Sequence, residues 1–264
     1  MDLISSRNNS KIKRARALRR RKSRQESEAF LVEGLRHVGE AVEAGSEIEA
    51  IFYAPELLNS EFGTDLIAAQ AQAGVDCYAT TSKVFESLAS KENPQGILAV
   101  VRRPEYRLDD LTPKNFPWGV ALVAPQDPGN LGTILRTLDA VGASGLLLLD
   151  EGVDPYHPSA VRASMGTIFW YPIVETDFSS FARWARASGY HVYGTSAHGD
   201  VGYGEIESYL SPRILLMGSE REGLTPEQSA CCECLVRLPM LGQATSLNLA
   251  VATGVMLYLM RGND

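Results

Sequence analysis

Three short stretches of this chain put amides, a carboxylate, a guanidinium and glycines where a ligand could meet them. The first is Asp127-Pro128-Gly129-Asn130, which follows an apolar run and precedes a helical one; Arg136 lies nearly two helical turns beyond Asn130. Asn130 reads as a helix cap or as an amide presented at a strand tip, and Arg136 as a surface cation or as a group facing the same side. The second is Gly218-Ser219-Glu220, at the end of an apolar strand, with Gly223 breaking the loop again. Glycines allow positive φ and a close approach of backbone to a ligand, whereas Glu220 taken alone also reads as a surface acid. The third runs from Pro239 and Gly242 to Ser246 and Asn248, at the start of a long apolar helix. Ser246 is a good N-cap by type, and Asn248 is an amide in an otherwise apolar first turn that needs a partner. All three stretches fall at strand-to-loop junctions, where open α/β sheets bind ligands beyond the carboxyl ends of their strands.

Other chemistries find no support. The chain has no G-x-G-x-x-G, no G-x-x-x-x-G-K-[ST] and no G-x-S-x-G, which argues against a glycine-loop dinucleotide site, a P-loop and a nucleophile elbow. His37, His157, His191 and His198 are scattered, with no H-E-x-x-H. Of four cysteines, Cys231, Cys232 and Cys234 crowd into one run without a second pair of ligands, so reduced thiols are expected rather than a metal site.

The elements that must position these residues follow from periodicity. In the first hundred residues, helices are expected over 11–28, 35–45, 62–73 and 83–90, the last capped by Thr81 or Ser82. Short apolar runs at 30–32, 48–53, 75–79 and 97–101 read as strands. The first helix is charged and offers little to bury. Residues 102–118, with Pro104, Pro113 and Pro117, read as a linker. Beyond it, strands are expected at 120–124, 146–149, 173–174, 190–194, 214–217 and 235–238. Helices are expected at 131–141, 159–165, 178–187, 226–232 and 247–260. That alternation predicts an α/β sheet, mostly parallel, and the continuous apolar strands predict cover on both faces. The division is therefore 1–101, 102–118 and 119–264. The last helix is apolar on most sides, which points to a core or a subunit interface.

Charge separates the two ends. Residues 1–36 hold 11 Lys/Arg and 4 Asp/Glu, a net of +7; the rest hold 14 and 28, a net of −14. A basic arm on an acidic body fits contact with a phosphate backbone, although a solvated basic helix would look the same. Arg7, Lys11, Lys13, Arg14 and Arg36 are the candidate contacts. The chain has no apolar run of membrane-spanning length and no apolar signal core near its first residues, so a cytoplasmic protein is expected.

Taken together and in order, DPGNLGTILRTLDAVG, LLMGSEREGL and LPMLGQATSLNLAVATGVMLY resemble the SpoU (TrmH-type) family of RNA ribose 2′-O-methyltransferases, within the SPOUT superfamily. SRNNSKIKRARAL and FLVEGLRHVGEAV are similar, more loosely, to the family's N-terminal RNA-binding domain. The resemblance implies a small N-terminal α/β domain followed by an α/β knot, a deep trefoil in a mostly parallel sheet. It implies S-adenosylmethionine as cofactor, held at Gly218, Leu238 and Leu247 with Thr195 as a weaker candidate, and no metal. It implies a homodimer through the last helix. The residues it assigns to catalysis are Asn130, Arg136, Glu220, Ser246 and Asn248, all present. Arg136 would act as a base or as an electrostatic stabiliser of the developing alkoxide. The second role suits a group whose pKa exceeds about 12. The extra N-terminal domain favours ribosomal RNA; the alternatives are a tRNA methyltransferase of the same family and an inactive RNA-binding assembly factor. The complete catalytic set weighs against the last.

Overall fold

The computed structural model describes residues 3–90 and 93–262. Residues up to Pro104 carry α1 (Ser10–Ala17), α2 (Arg21–Ser27), β1 (Ala29–Glu33), α3 (Leu35–Glu43), β2 (Ile48–Tyr53), α4 (Glu61–Gln72), β3 (Asp76–Ala79), α5 (Ser82–Glu86) and β4 (Ile97–Arg102). Next come β5 (Trp118–Val123), α6 (Pro128–Val141), β6 (Gly145–Leu149), α7 (Pro158–Ala163), β7 (Ile173–Thr176) and α8 (Phe178–Ala187). The chain ends with β8 (His191–Thr195), β9 (Val201–Gly202), β10 (Arg213–Met217), α9 (Pro226–Ala230), β11 (Cys234–Arg237) and α10 (Leu249–Arg261). No helix among the described residues is long and apolar enough to cross a membrane.

Two compact units emerge. The first joins the residues up to Pro104 to Tyr156–Trp170; the second joins Glu105–Pro155 to the chain from Tyr171 onward. In the first unit, the sheet order is β1-β4-β2-β3, antiparallel except between β2 and β3. The single basic helix expected over 11–28 is two helices, and it is not short of core. Ile12, Ala15 and Leu18, spaced three apart, bury one stripe at no more than 2% exposure. The break between α1 and α2 leaves carbonyls without helical partners. Arg24, itself buried, turns back and donates from one nitrogen to the Leu18 and Arg19 carbonyls, both at 2.9 Å.

Tyr156–Trp170 lies in the chain between two strands of the second unit, yet its side chains pack in the first. The Tyr156 ring sits 4.6 Å from that of Phe30. Arg162 donates to Ser90 Oγ (3.0 Å), and Ser90 donates from both N and Oγ to one oxygen of buried Glu33.

The second unit is a seven-stranded, all-parallel sheet in the order β7-β6-β5-β10-β8-β11-β9. β5 and β6 are buried along their whole length, as continuous apolar strands between two covered faces should be. The stretch 102–118 is more than a linker. A 3₁₀ turn at Leu108–Asp110 leads to Leu111 and Phe116, both buried in this unit's core. The edge strand β9 is only two residues long and had no periodic signal.

Candidate functional site

The sheet order explains why the three polar stretches meet. β5, β10, β8 and β11 are consecutive neighbours running in one direction. Their carboxyl ends therefore open on one edge, and the loops that follow deliver Asn130, Gly218 to Glu220, Thr195 and Leu238 there. A cavity of about 810 Å³ occupies that edge. It is lined by Asn130, Thr195, Gly218, Glu220, Leu238, Ser246, Leu247 and Asn248 among others. Nine residues are expected from sequence to serve catalysis or cofactor binding, and these eight of them all line one cavity. The ninth, Arg136, is not among its lining residues: it is exposed on α6 and has no hydrogen-bond or ion-pair partner among the described residues. Six residues along a helix is about 600°, which leaves Asn130 and Arg136 roughly 120° apart around the axis.

Three polar side chains form a relay at the cavity mouth. Asn248 donates from Nδ2 to Asn130 Oδ1 (2.9 Å), and Asn130 donates from Nδ2 to Glu220 Oε1 (2.6 Å). The other Glu220 oxygen accepts from the backbone N–H of Gln126 (3.0 Å). Both carboxylate oxygens are thus engaged, which makes Glu220 an anchor between loops. The relay also fixes the amide orientations: each Asn side chain is engaged at both its oxygen and its nitrogen. Asn248 accepts at Oδ1 from the N–H groups of Ala250 (2.9 Å) and Val251 (3.3 Å), so it is the N-cap of α10 and Ser246 is not. The helix begins at Leu249, two residues later than expected, which moves the cap from position 246 to position 248. Likewise Asp127 caps α6, accepting from Gly129 N (2.6 Å), and this frees Asn130 for the relay.

The loop after β10 is rigidly closed. Ser219 and Gly223 exchange two backbone hydrogen bonds of 3.0 Å. A Cβ on Gly218 would lie 2.2 Å from the Gly223 carbonyl carbon, and Gly223 itself has φ +69. Glycine is required at both positions for this turn.

The cavity suits a nucleoside-sized cofactor with a polar tail. Its size falls in the range of small-molecule sites. Leu238, Leu247 and Leu249 supply apolar wall for a ring, and Gly218 lines the same cavity, its missing Cβ leaving room for the Gly223 backbone. Sequence reasoning missed His198, Arg221, Met240 and Thr245, which also line it. Arg221 stood inside the second motif and His198 three residues beyond Thr195, so position near a strand end was the available signal. The three clustered cysteines are free, and burial, then the neighbouring thiols, push Cys232 up to about 12. Among the described residues no cluster of three His, Cys, Asp or Glu side chains is placed to hold a metal.

The basic residues near the start of the chain are more occupied than their sequence implied. Arg7 donates from Nε and Nη2 to the Lys83 carbonyl (3.2 and 3.1 Å), and Lys11 Nζ lies 3.6 Å from the centre of the Tyr78 ring. Arg14 pairs with Glu49 at 2.7 Å, and Arg36 with Glu40 at 3.9 Å. Of the five candidates, Lys13 alone is exposed with no such partner among the described residues.

A parallel α/β sheet whose strand ends converge on a roomy cleft, with a fixed polar relay at its mouth, is the plan of an enzyme that binds a small cofactor. Comparison with known proteins gives the family. Residues 117–258 match the SpoU rRNA methylase family, and residues 9–99 match the MRM3-like substrate binding domain. The chain is 32% identical over 262 residues to the Bacillus subtilis 23S rRNA (guanosine(2553)-2′-O)-methyltransferase RlmP, covering 99% of this chain and 100% of that one. It is 32% identical over 245 residues to a 23S rRNA (uridine(2479)-2′-O)-methyltransferase of Streptomyces viridochromogenes, covering 90% and 84%. The crystal structure of an AdoMet-bound rRNA methyltransferase from Sinorhizobium meliloti superposes with a TM-score of 0.90 at 37% identity, covering 98% and 97%. The chain belongs to the SpoU rRNA methylase family, and that membership implies the knotted topology.

Proposed function

We propose that the chain methylates a ribose 2′-hydroxyl in 23S ribosomal RNA, in the cytoplasm, and that it does so as a homodimer in which each site borrows Arg136 from the partner copy. The observation that carries this reading is the Asn248–Asn130–Glu220 relay at the mouth of the cavity. S-adenosylmethionine, when bound, supplies a methyl group on a sulfonium that is its own leaving group, so no metal is needed. Gly218, Leu238, Leu247 and Thr195 would hold it, with Ser246 ordering the loop beside it. Asn130, held at both ends, presents its remaining capacity to the ribose, and Glu220 and Asn248 keep that amide in place.

The 2′-hydroxyl is a poor nucleophile, and charge grows on its oxygen as the methyl group moves. As the C–S bond breaks and the C–O bond forms, the hydroxyl proton passes to water at the open cavity mouth, and Arg136 acts by offsetting the charge on the oxygen. Within one chain Arg136 is away from the cavity. It stands on the exposed side of α6, next to α10, where Val251, Val255 and Tyr258 are 52%, 38% and 57% exposed. Thr133 and Thr137 of α6 and these three residues line one open apolar groove. A second copy seated there would cover the apolar face and bring one Arg136 towards the other copy's relay. Substrate RNA is engaged by the first unit, through Lys13 and neighbouring cations.

The test uses the purified chain, S-adenosylmethionine labelled in the methyl group, and 23S rRNA. Label recovered as a 2′-O-methyl nucleotide is the expected result; label on a base, or none, refutes the assignment. Mixing equal amounts of the Arg136→Ala and Glu220→Ala variants tests the shared site. Random exchange would restore about a quarter of wild-type activity, because half the dimers would carry one intact site. No recovery would place Arg136 in its own chain's site.

A further inference from the structure

Arg221 has no role in the reading above, and the structure singles it out. It follows Glu220 at the apex of the loop that Ser219 and Gly223 close with paired backbone bonds. Glu220 is pinned by Asn130 and by the Gln126 N–H, so the backbone that carries Arg221 is held at the cavity mouth. Among the residues that line the cavity, Arg221 is the one Lys or Arg side chain. It is exposed, and no hydrogen bond or ion pair engages it among the described residues.

The substrate chemistry asks for such a group. In RNA the 2′-oxygen is next to the 3′-oxygen, so a phosphodiester always lies a few bonds from the methylated atom. Placing that oxygen at the relay brings its phosphate to a rim that also carries Glu220 and Glu222, in a body whose residues beyond 36 hold twice as many acids as bases. An anion there needs a cation held ready. A guanidinium is the side chain best shaped for phosphate.

We propose that Arg221 binds the phosphodiester flanking the target ribose and so positions the 2′-oxygen at the relay. This rests on reading the cavity as the methyl-transfer site. It makes Arg221 a substrate contact distinct from Arg136, which acts on the developing charge.

The experiment compares wild type, Arg221→Ala and Arg221→Lys as full chains. Three readouts are needed: steady-state methylation of rRNA, RNA affinity across a salt series, and calorimetric affinity for S-adenosylmethionine. Arg221→Ala is expected to raise KM for RNA about tenfold at low salt, as loss of one charge-assisted contact does, with kcat held within about threefold. Its plot of log affinity against log salt should be shallower by about 0.7, the loss of one phosphate contact to a single strand. Arg221→Lys should recover the slope and part of the KM. Cofactor affinity should stay within about twofold in both variants, because the contact is to RNA. An unchanged salt slope overturns the proposal. So does a fall in cofactor affinity with RNA affinity intact, which would assign the cation to the cofactor's carboxylate. A collapse of kcat at constant KM also overturns it, by making the contact one of the transition state. The salt slope is read from binding alone, so it judges Arg221 even if wild-type chain were to methylate no RNA, an outcome that would refute the assigned reaction instead.

Discussion

The two units use their cations in opposite ways. In the first, most arginines of the basic arm are consumed by the fold. Arg24 satisfies the carbonyls at a helix break, Arg16 reaches Ser87 Oγ, and Arg19 reaches the carbonyl of Leu88. In the second, Arg136 on α6 and Arg221 at the cavity rim have no partner among the described residues. A net charge of +7 over residues 1–36 therefore overstates the surface offered to a polyanion, whereas the rest of the chain, with a net of −14, leaves these two cations unengaged. On the proposed reading, a substrate contact is marked by a charged group that the fold leaves unsatisfied more than by local charge density.

Substitutions can break or sharpen that contrast. Arg136→Ala should cost about a hundred- to a thousandfold in kcat, the usual scale for a donor aimed at developing charge, and leave cofactor affinity within a few-fold. Near-wild-type turnover in a single-turnover assay would remove Arg136 from the mechanism. The relay should behave as one unit. Asn130→Ala and Asn248→Ala should each lower kcat by tens of fold, and the double variant should lose little more than the worse of the two. Strict additivity of the two losses would mean that the amides act separately. In the first unit, Arg24→Ala should lower stability by about 2 to 3 kcal/mol in urea unfolding, because two carbonyls lose a charged donor. Lys13→Ala should change stability by less than about 0.5 kcal/mol while weakening RNA binding at low salt. If the two variants exchanged these effects, the contrast would fail. Deleting residues 1–36 cannot replace these tests, since it removes β1 together with the buried Ile12 and Leu18.

The smallest effect is a pH dependence confined to alkali. Burial raises the hydroxyls of Tyr171 and Tyr190 to about 12, with the Asp139 hydrogen bond adding to the first, and Cys232 rises to about 12 as well. Folding favours the neutral form in all three. Their contribution is complete below the ordinary values of 9.0 to 10.0 and is lost as pH climbs towards 12. Thermal unfolding followed by near-ultraviolet circular dichroism should show a midpoint that falls from about pH 9 upward. A midpoint that held or rose over that range would contradict the burial of these groups.

Much of this was legible in the sequence, and for physical reasons. Continuous apolar runs such as 146–149 suit strands covered on both faces, and this run lies within a strand of the sheet. The glycine at 218 marks a tight loop, and the Gly223 carbonyl carbon lies 2.2 Å from where its Cβ would be. Caps were harder. Ser246 and Asn248 are both good capping types, and only the backbone decides which one stands before the first helical residue. The charged stretch at 11–28 hides its core, because three small or medium residues three apart bury one stripe while arginines dominate the composition. Arg136 shows the limit of spacing arguments: an interval of six on a helix turns it about 120° from Asn130 and off the cavity wall.

The segment Tyr156–Trp170 has a practical consequence for anyone recombining these proteins. It lies inside the stretch that matches the methylase family, yet it packs with the unit that matches the substrate-binding domain. A chimera that exchanges only residues 1–104 with a relative would separate Phe30 from Tyr156, and Glu33 and Ser90 from Arg162. A graft of new RNA specificity has to carry both pieces of chain, so in this protein the unit of inheritance and the unit of folding are cut at different places.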